Sequence, residues 1–254
     1  MSFSSLVKYS FKNDLSLDER THEHREIILN KKFLKKLYEE WYHMFKSKSN
    51  ELPEGKMIEI GSGGGFIKNY LTDVITSDII DFPWVDQAYS ALDMPYSKSE
   101  VSAIFMIDTF HHIPDSEQFL NEVTRTLTPG GKMIMVEPAN SIWGRFIYKN
   151  FHHEPFDTKG GWTIPESGPL TGANGALPWI VFVRDFKRFQ SKFPELKLNS
   201  IKYHTPLRYL LSGGVSYKGI SSGSVFPLFG FLDNQLSTLS KQISMFMTIE
   251  VEKL

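Results

Sequence analysis

Three clusters along this 254-residue chain hold side chains suited to binding a small molecule or moving a proton. The first is Glu59-Ile60-Gly61-Ser62-Gly63-Gly64-Gly65, at the end of a short apolar run. Glycines there permit positive φ and let backbone approach a ligand closely. A helix expected to open at Phe66 would add unpaired N–H groups that suit a carboxylate or phosphate. The pattern predicts a nucleotide-like cofactor. A dinucleotide fingerprint needs glycine at the sixth position, which counted from Gly61 is Phe66, and the absence of Gly-Lys-Ser/Thr excludes a P-loop. The second cluster, His111-His112, follows an apolar run at residues 101–107, and the third is His152-His153-Glu154. Histidine titrates nearest neutrality, so His112, just before a helix, and His111 are candidates for a general base or an acceptor-orienting group. The plainer alternative is that they only hydrogen-bond their loop. Histidines with a glutamate can ligate metals, but no His-Glu-x-x-His spacing is present and no metal is expected. His153 and Glu154 are candidates for acceptor binding, and Glu137 is a further pocket candidate.

Such residues must be gathered by regular elements. Residues 17–46 carry Leu34, Leu37, Trp41 and Met44 or Phe45 at helical spacing and read as helix. A βα alternation follows. Residues 56–60 and 74–77 are strands, the second ending at Asp78, and residues 66–71 begin a helix. Residues 101–107 and 132–136 are near-continuous apolar runs, as in strands covered on both faces. Between them residues 115–127 read as a helix capped by Asp115. Later, residues 182–193 read as helix and residues 196–203 and 246–252 as strands. The pattern predicts an α/β fold, a doubly wound and mostly parallel sheet with one antiparallel strand. Residues 1–50 form a helical N-terminal extension, and 51–254 one domain with insertions at about 141–180 and 205–244.

EIGSGGG at 59–65 resembles the E/D-x-G-x-G-x-G signature of class I S-adenosylmethionine-dependent methyltransferases. The likeness runs on through Asp78, FHHIPD at 110–115 and LTPGGKMIMVEP at 127–138, roughly a third of the chain. The branch it most resembles is the small-molecule one that includes the ubiquinone and menaquinone methyltransferases. That resemblance implies a seven-stranded Rossmann-like sheet, with S-adenosylmethionine as cofactor and S-adenosylhomocysteine as product. It implies that Gly61, Ser62 and Gly63 line the methionine portion, that Glu59 sits beneath the loop, and that Asp78 accepts the ribose hydroxyls, as an ionised carboxylate can. Gly65 and Asp108 join the same set. Relatives commonly carry Asp-Ala five and four residues before a Leu-Pro. Here the proline is Pro95 and those positions are Ser90 and Ala91, so the adenine contact departs from the pattern.

Composition narrows the partners. Hydrophobic residues make up 41% and charged residues 22%, as in soluble globular proteins. The net charge of -1 offers no basic field for nucleic acid. Asp108-Thr109-Phe110-His111 stands where nucleobase methylating relatives carry Asn/Asp-Pro-Pro-Tyr/Phe. Cysteine is absent, which excludes disulfides and thiolate chemistry. With no apolar run over residues 1–14, a cytoplasmic location is expected. The expected activity is methyl transfer to a small or amphiphilic acceptor, of lipid or saccharide type, at oxygen or carbon. Residues 141–180, with Trp162 and two glycine pairs as hinges, are expected to recognise it. Leu228, Leu232, Leu236, Leu239 and Ile243 form a stripe expected to pack on the sheet; the alternatives are an acceptor channel, a peripheral membrane contact or a homodimer face. Two rival readings stay open: a cofactor-binding subunit without turnover, and an NAD-dependent oxidoreductase. Phe66 opposes the latter, as does a Tyr-x-x-x-Lys that falls only at Tyr42 to Lys46.

Overall fold

The computed structural model describes residues 16–152, 154–165, 172–219 and 222–254; His153 lies outside them. The N-terminal helix expected over 17–46 is two helices, α1 (Leu17–Asn30) and α2 (Lys32–Ser49), because Lys31 adopts an extended backbone between them. Ser16 and Glu19 close a capping box on α1. The face of α2 carrying Phe33, Leu34, Leu37, Trp41, Tyr42 and Phe45 is buried.

The strands are β1 (Lys56–Ile60), β2 (Val74–Asp78), β3 (Gln87–Ala88), β4 (Val101–Ile107) and β5 (Leu127–Pro138), with α3 (Ser116–Thr126) before β5. Beyond β5 come α4 (Ile142–Phe151), a helical run that widens into a π turn at Ile180–Arg184, α5 (Phe186–Lys192) and β6 (Leu196–His204). The chain then forms α6 (Arg208–Ser212), α7 (Phe226–Leu239) and β7 (Phe246–Lys253). The seven strands lie in the order β3-β2-β1-β4-β5-β7-β6, parallel except for β7, which runs antiparallel to both neighbours. This is the class I methyltransferase fold. All seven residues of β4 are buried, which is why its sequence shows no alternation. Phe45 of α2 stacks on Phe105 from one face, and Trp41 reaches Phe246 of β7. On the other face Phe119 of α3 meets Phe110, which also touches Phe182 of the π turn.

Two local expectations are corrected. The glycine loop is followed by a single 3₁₀ turn, Ile67–Asn69, and Val74 begins the next strand, so no long helix points its N-terminus at the loop. The stripe on α7 does not pack as a unit: Phe226 and Asp233 are buried, whereas Leu228 is 58% and Leu239 80% exposed.

Candidate active site

The chain leaves β1 for β2 and β3, then returns to lay β4 on the other side of β1. At such a switch point the loops after the two strands diverge and leave a crevice at their carboxyl ends. A cavity of about 560 Å³ lies there. The glycine loop, Asp78, Ser90, Ala91, Asp108, His111, His112, His152 and Glu154 all line it. Trp162 does not.

The glycine loop is shaped by its contacts. Gly61 has φ +68°, and a Cβ there would fall 2.3 Å from the Thr109 side chain. Asp78 accepts from the Gly63 amide at 2.9 Å and from the Ile80 amide at 3.2 Å, tying the end of β2 to the loop. The Trp84 indole donates to the Gly63 carbonyl at 2.7 Å. Arg25 of α1 donates to the carbonyls of Gly64 and Gly65 and lies over the Trp84 ring. Tyr42 of α2 accepts from the Phe66 amide at 3.1 Å. The N-terminal helices thus hold this loop from above. Glu59 is 2% exposed, and its Oε2 has no hydrogen-bond partner. Burial pushes its carboxyl up to about 8, aided by Asp78 and opposed by Ser62. A buried carboxylate oxygen without a donor is costly alone. It fits an ammonium-bearing ligand such as the methionine end of S-adenosylmethionine. Burial also raises the Asp78 pKa, against the pull of the Gly63, Ile80 and Ile79 amides.

The histidine side of the cavity is built on Glu137. This residue, fully buried at the end of β5, accepts from the Thr109 and Phe110 amides at 2.9 and 2.6 Å and pairs with His111 Nδ1 at 2.7 Å. His111 Nε2 lies 3.3 Å from Glu154 Oε2. Burial alone would depress the His111 pKa, but the charge and hydrogen bond of Glu137, joined by Glu154, carry it well above the ordinary value. Glu154 is held well below the carboxylate range by the same histidine, and by His112 and His152, despite its burial. His112 goes the other way. Burial and the neighbouring His111 charge lower its pKa, against Glu154 and the Gly172 carbonyl. Its Nδ1 lies 3.1 Å from the Gly172 carbonyl, a pure acceptor, so Nδ1 carries the proton. Nε2 lies 3.5 Å from Glu154 Oε1. Asp108 takes φ +50°, which aspartate tolerates better than most residues. Burial, countered by His111, raises its carboxyl to about 8.

Trp162, expected to meet the acceptor, packs outside the cavity lining. It is 3% exposed, its indole donates to Asp185 at 2.9 Å, and Arg188 covers its face at 4.3 Å. Ile164 and Pro165 of the same segment reach the cavity instead. Tyr38, Tyr148 and Tyr209, from α2, α4 and α6, also line it, and the sequence reading assigned none of them to the site. Helical spacing marks Tyr38 as inward-facing, but no local signal says that inward here means a cavity, and Tyr148 and Tyr209 carry no such mark.

Residues 58–135 match the model of a family described as a methyltransferase domain. A demethylmenaquinone methyltransferase of Deinococcus radiodurans is 30% identical over 94 residues. That alignment covers 35% of this chain and 35% of that enzyme, so the chain matches only about a third of its curated relative. Among solved structures, geranyl diphosphate C-methyltransferase from Streptomyces coelicolor A3(2), in complex with Mg2+, geranyl diphosphate and S-adenosyl-L-homocysteine, superposes with a TM-score of 0.51 at 13% identity. That match covers 96% of this chain and 86% of the other. A geranyl diphosphate methyltransferase in complex with SAM gives 0.52 at 13% identity, covering 96% and 93%. These two likenesses are of fold.

Proposed function

We propose that this chain transfers a methyl group from S-adenosylmethionine to a hydroxyl of a small or amphiphilic acceptor, with His112 as the base. The methyltransferase domain match supports the reaction class. The observation that carries the base is the contact of His112 Nδ1 with the Gly172 carbonyl, which engages the Nδ1 proton and makes Nε2, beside Glu154, the nitrogen that would accept one.

When bound, the cofactor supplies an electrophilic methyl on a sulfonium. Gly61, Ser62 and Gly63 would hold its methionine portion, with Glu59 facing the ammonium; Gly65 shapes the loop, and Asp78 would hold the ribose. Ser90 and Ala91 stand on the adenine side, and Asp108 closes the floor at the end of β4. These residues orient and exclude water, which is most of what such a displacement asks of a protein. The His112 Nε2 takes the acceptor proton, and Glu154 stabilises the imidazolium that results. His111 is already held by two carboxylates and acts as a positioning residue that fixes Glu154. Tyr148 and Tyr209 give the acceptor side apolar walls.

The test is transfer of labelled methyl from S-adenosylmethionine to a panel of sugar, phenol and prenyl alcohols. Turnover on at least one hydroxylic acceptor, lost in His112→Ala, is expected. Binding of S-adenosylmethionine without turnover on any acceptor would favour a cofactor-binding subunit.

A further inference from the structure

A second and more open cleft of about 790 Å³ lies between the start of α2 and the segment joining α6 to α7. Lys31, Lys32, Lys35, Lys36 and Lys218 line it, against one carboxylate, Glu39. Lys31 and Lys36 hold the facing segment through the carbonyls of Gly214, Tyr217 and Gly223. Lys32, Lys35 and Lys218 form no ion pair among the described residues. The first turn of α2 contains no acid, so its lysines stand at the positive end of the helix dipole. That arrangement is unfavourable unless an anion is near.

The rim of the cleft runs into α7. Phe226 opens this helix beneath Lys36, whose ammonium lies 5.8 Å from its ring, and packs edge-on against Phe33. From there Leu228 and Phe231 point outward, 58% and 61% exposed. The one charged residue of α7, Asp233, is 1% exposed and is bonded to Arg208, so the outward face bears no negative charge. Five lysines against the single acid Glu39, beside the exposed Leu228 and Phe231 of α7, match an anionic interface in both its parts: charged headgroups and an acyl boundary.

We propose that the lysine cleft and the outward face of α7 dock this protein on an anionic phospholipid surface. The lysines face the headgroup phosphates while Leu228 and Phe231 enter the acyl boundary. Ser212 and Lys218 line the cleft, and Tyr209 and Val215 of the same segment line the catalytic cavity, so docking sets that cavity close to the membrane plane. The proposal stands independently of the methyl-transfer reading.

The experiment is co-flotation of the full chain with vesicles of phosphatidylcholine alone and with phosphatidylglycerol added. Binding to the anionic vesicles only, reversed by salt, is expected. Lys32→Ala/Lys35→Ala/Lys218→Ala should weaken it by about 100-fold, at about fivefold for each lysine. Leu228→Gln/Phe231→Gln should weaken it by about tenfold or more. Both variants replace side chains outside the core, of which only Lys35 is half-buried, and should melt as the parent does. Equal binding to neutral vesicles, or none to anionic ones, overturns the proposal. So does displacement by millimolar inorganic phosphate, which would make the ligand a soluble phosphate. A parent dimer in light scattering that Leu228→Gln/Phe231→Gln dissociates would assign the face to a second copy and overturn it too.

Discussion

His111 and His112 are adjacent in sequence and opposite in electrostatic situation. Glu137 and Glu154 enclose His111 and raise its pKa against its burial, whereas burial and the neighbouring His111 charge lower that of His112. His112→Ala should therefore lower turnover by about 10²–10⁴ and leave S-adenosylhomocysteine affinity unchanged. A smaller loss, or a loss of affinity to match, would return the histidine to a structural role. The pH profile follows from sign. A base is active when unprotonated, and a pKa below the ordinary 6.5 means that kcat/KM climbs with pH on the acid side of that value and is flat at neutrality. A limb centred above 7 would point to another group. Removing Glu137 strips the acceptor from the Thr109 and Phe110 amides and leaves the His111 charge without its closest partner. Glu137→Ala should cost about 3–5 kcal/mol in chemical denaturation.

At the scale of elements, α1 stands in for the helix that the glycine loop lacks. Arg25 supplies from outside the loop the donors that hold its carbonyls. Arg25→Ala should weaken S-adenosylhomocysteine binding by about tenfold or more, the size of a charged hydrogen bond. Trp162 belongs to the wall between the π turn and α3, so Trp162→Ala should destabilise by about 3–5 kcal/mol with little change in cofactor affinity. The opposite pattern, a stable variant with a raised acceptor KM, would restore its contact with the acceptor. The strands were legible because burial on both faces writes continuous apolar runs such as 101–107, and α3 because Asp115 caps it at 2.9 and 3.0 Å. Helix α4 was missed. Aromatic residues on both its faces hide the stripe of Gly144, Ile147 and Tyr148, although Ser141 caps it as sequence rules ask. The break at Lys31 left no local mark, since nothing near it is a proline or glycine. The pairing of Glu137 with His111 joins residues 26 apart and depends on β4 and β5 being neighbours, which no local pattern states.

For the whole molecule, the sheet topology places the glycine loop, Asp78 and the histidines at one cavity, and described residues of both insertions line it. No helix among the described residues is long and apolar enough to cross a membrane. A ligand held this way should stabilise the fold by mass action, by about 2.7 kcal/mol at a hundredfold excess over Kd. A thermal melt with S-adenosylhomocysteine should therefore shift upward, while NAD leaves it in place. The central claim is that the crevice at the switch point holds S-adenosylmethionine through Gly63 and Asp78. Calorimetric titration of S-adenosylhomocysteine into the parent, Gly63→Arg and Asp78→Ala proteins measures it directly. One site per chain is predicted in the parent, weakened binding in Asp78→Ala, and none in Gly63→Arg, whose side chain would fill the crevice. Equal affinity in all three proteins, or a preference for NAD over S-adenosylhomocysteine, would contradict it.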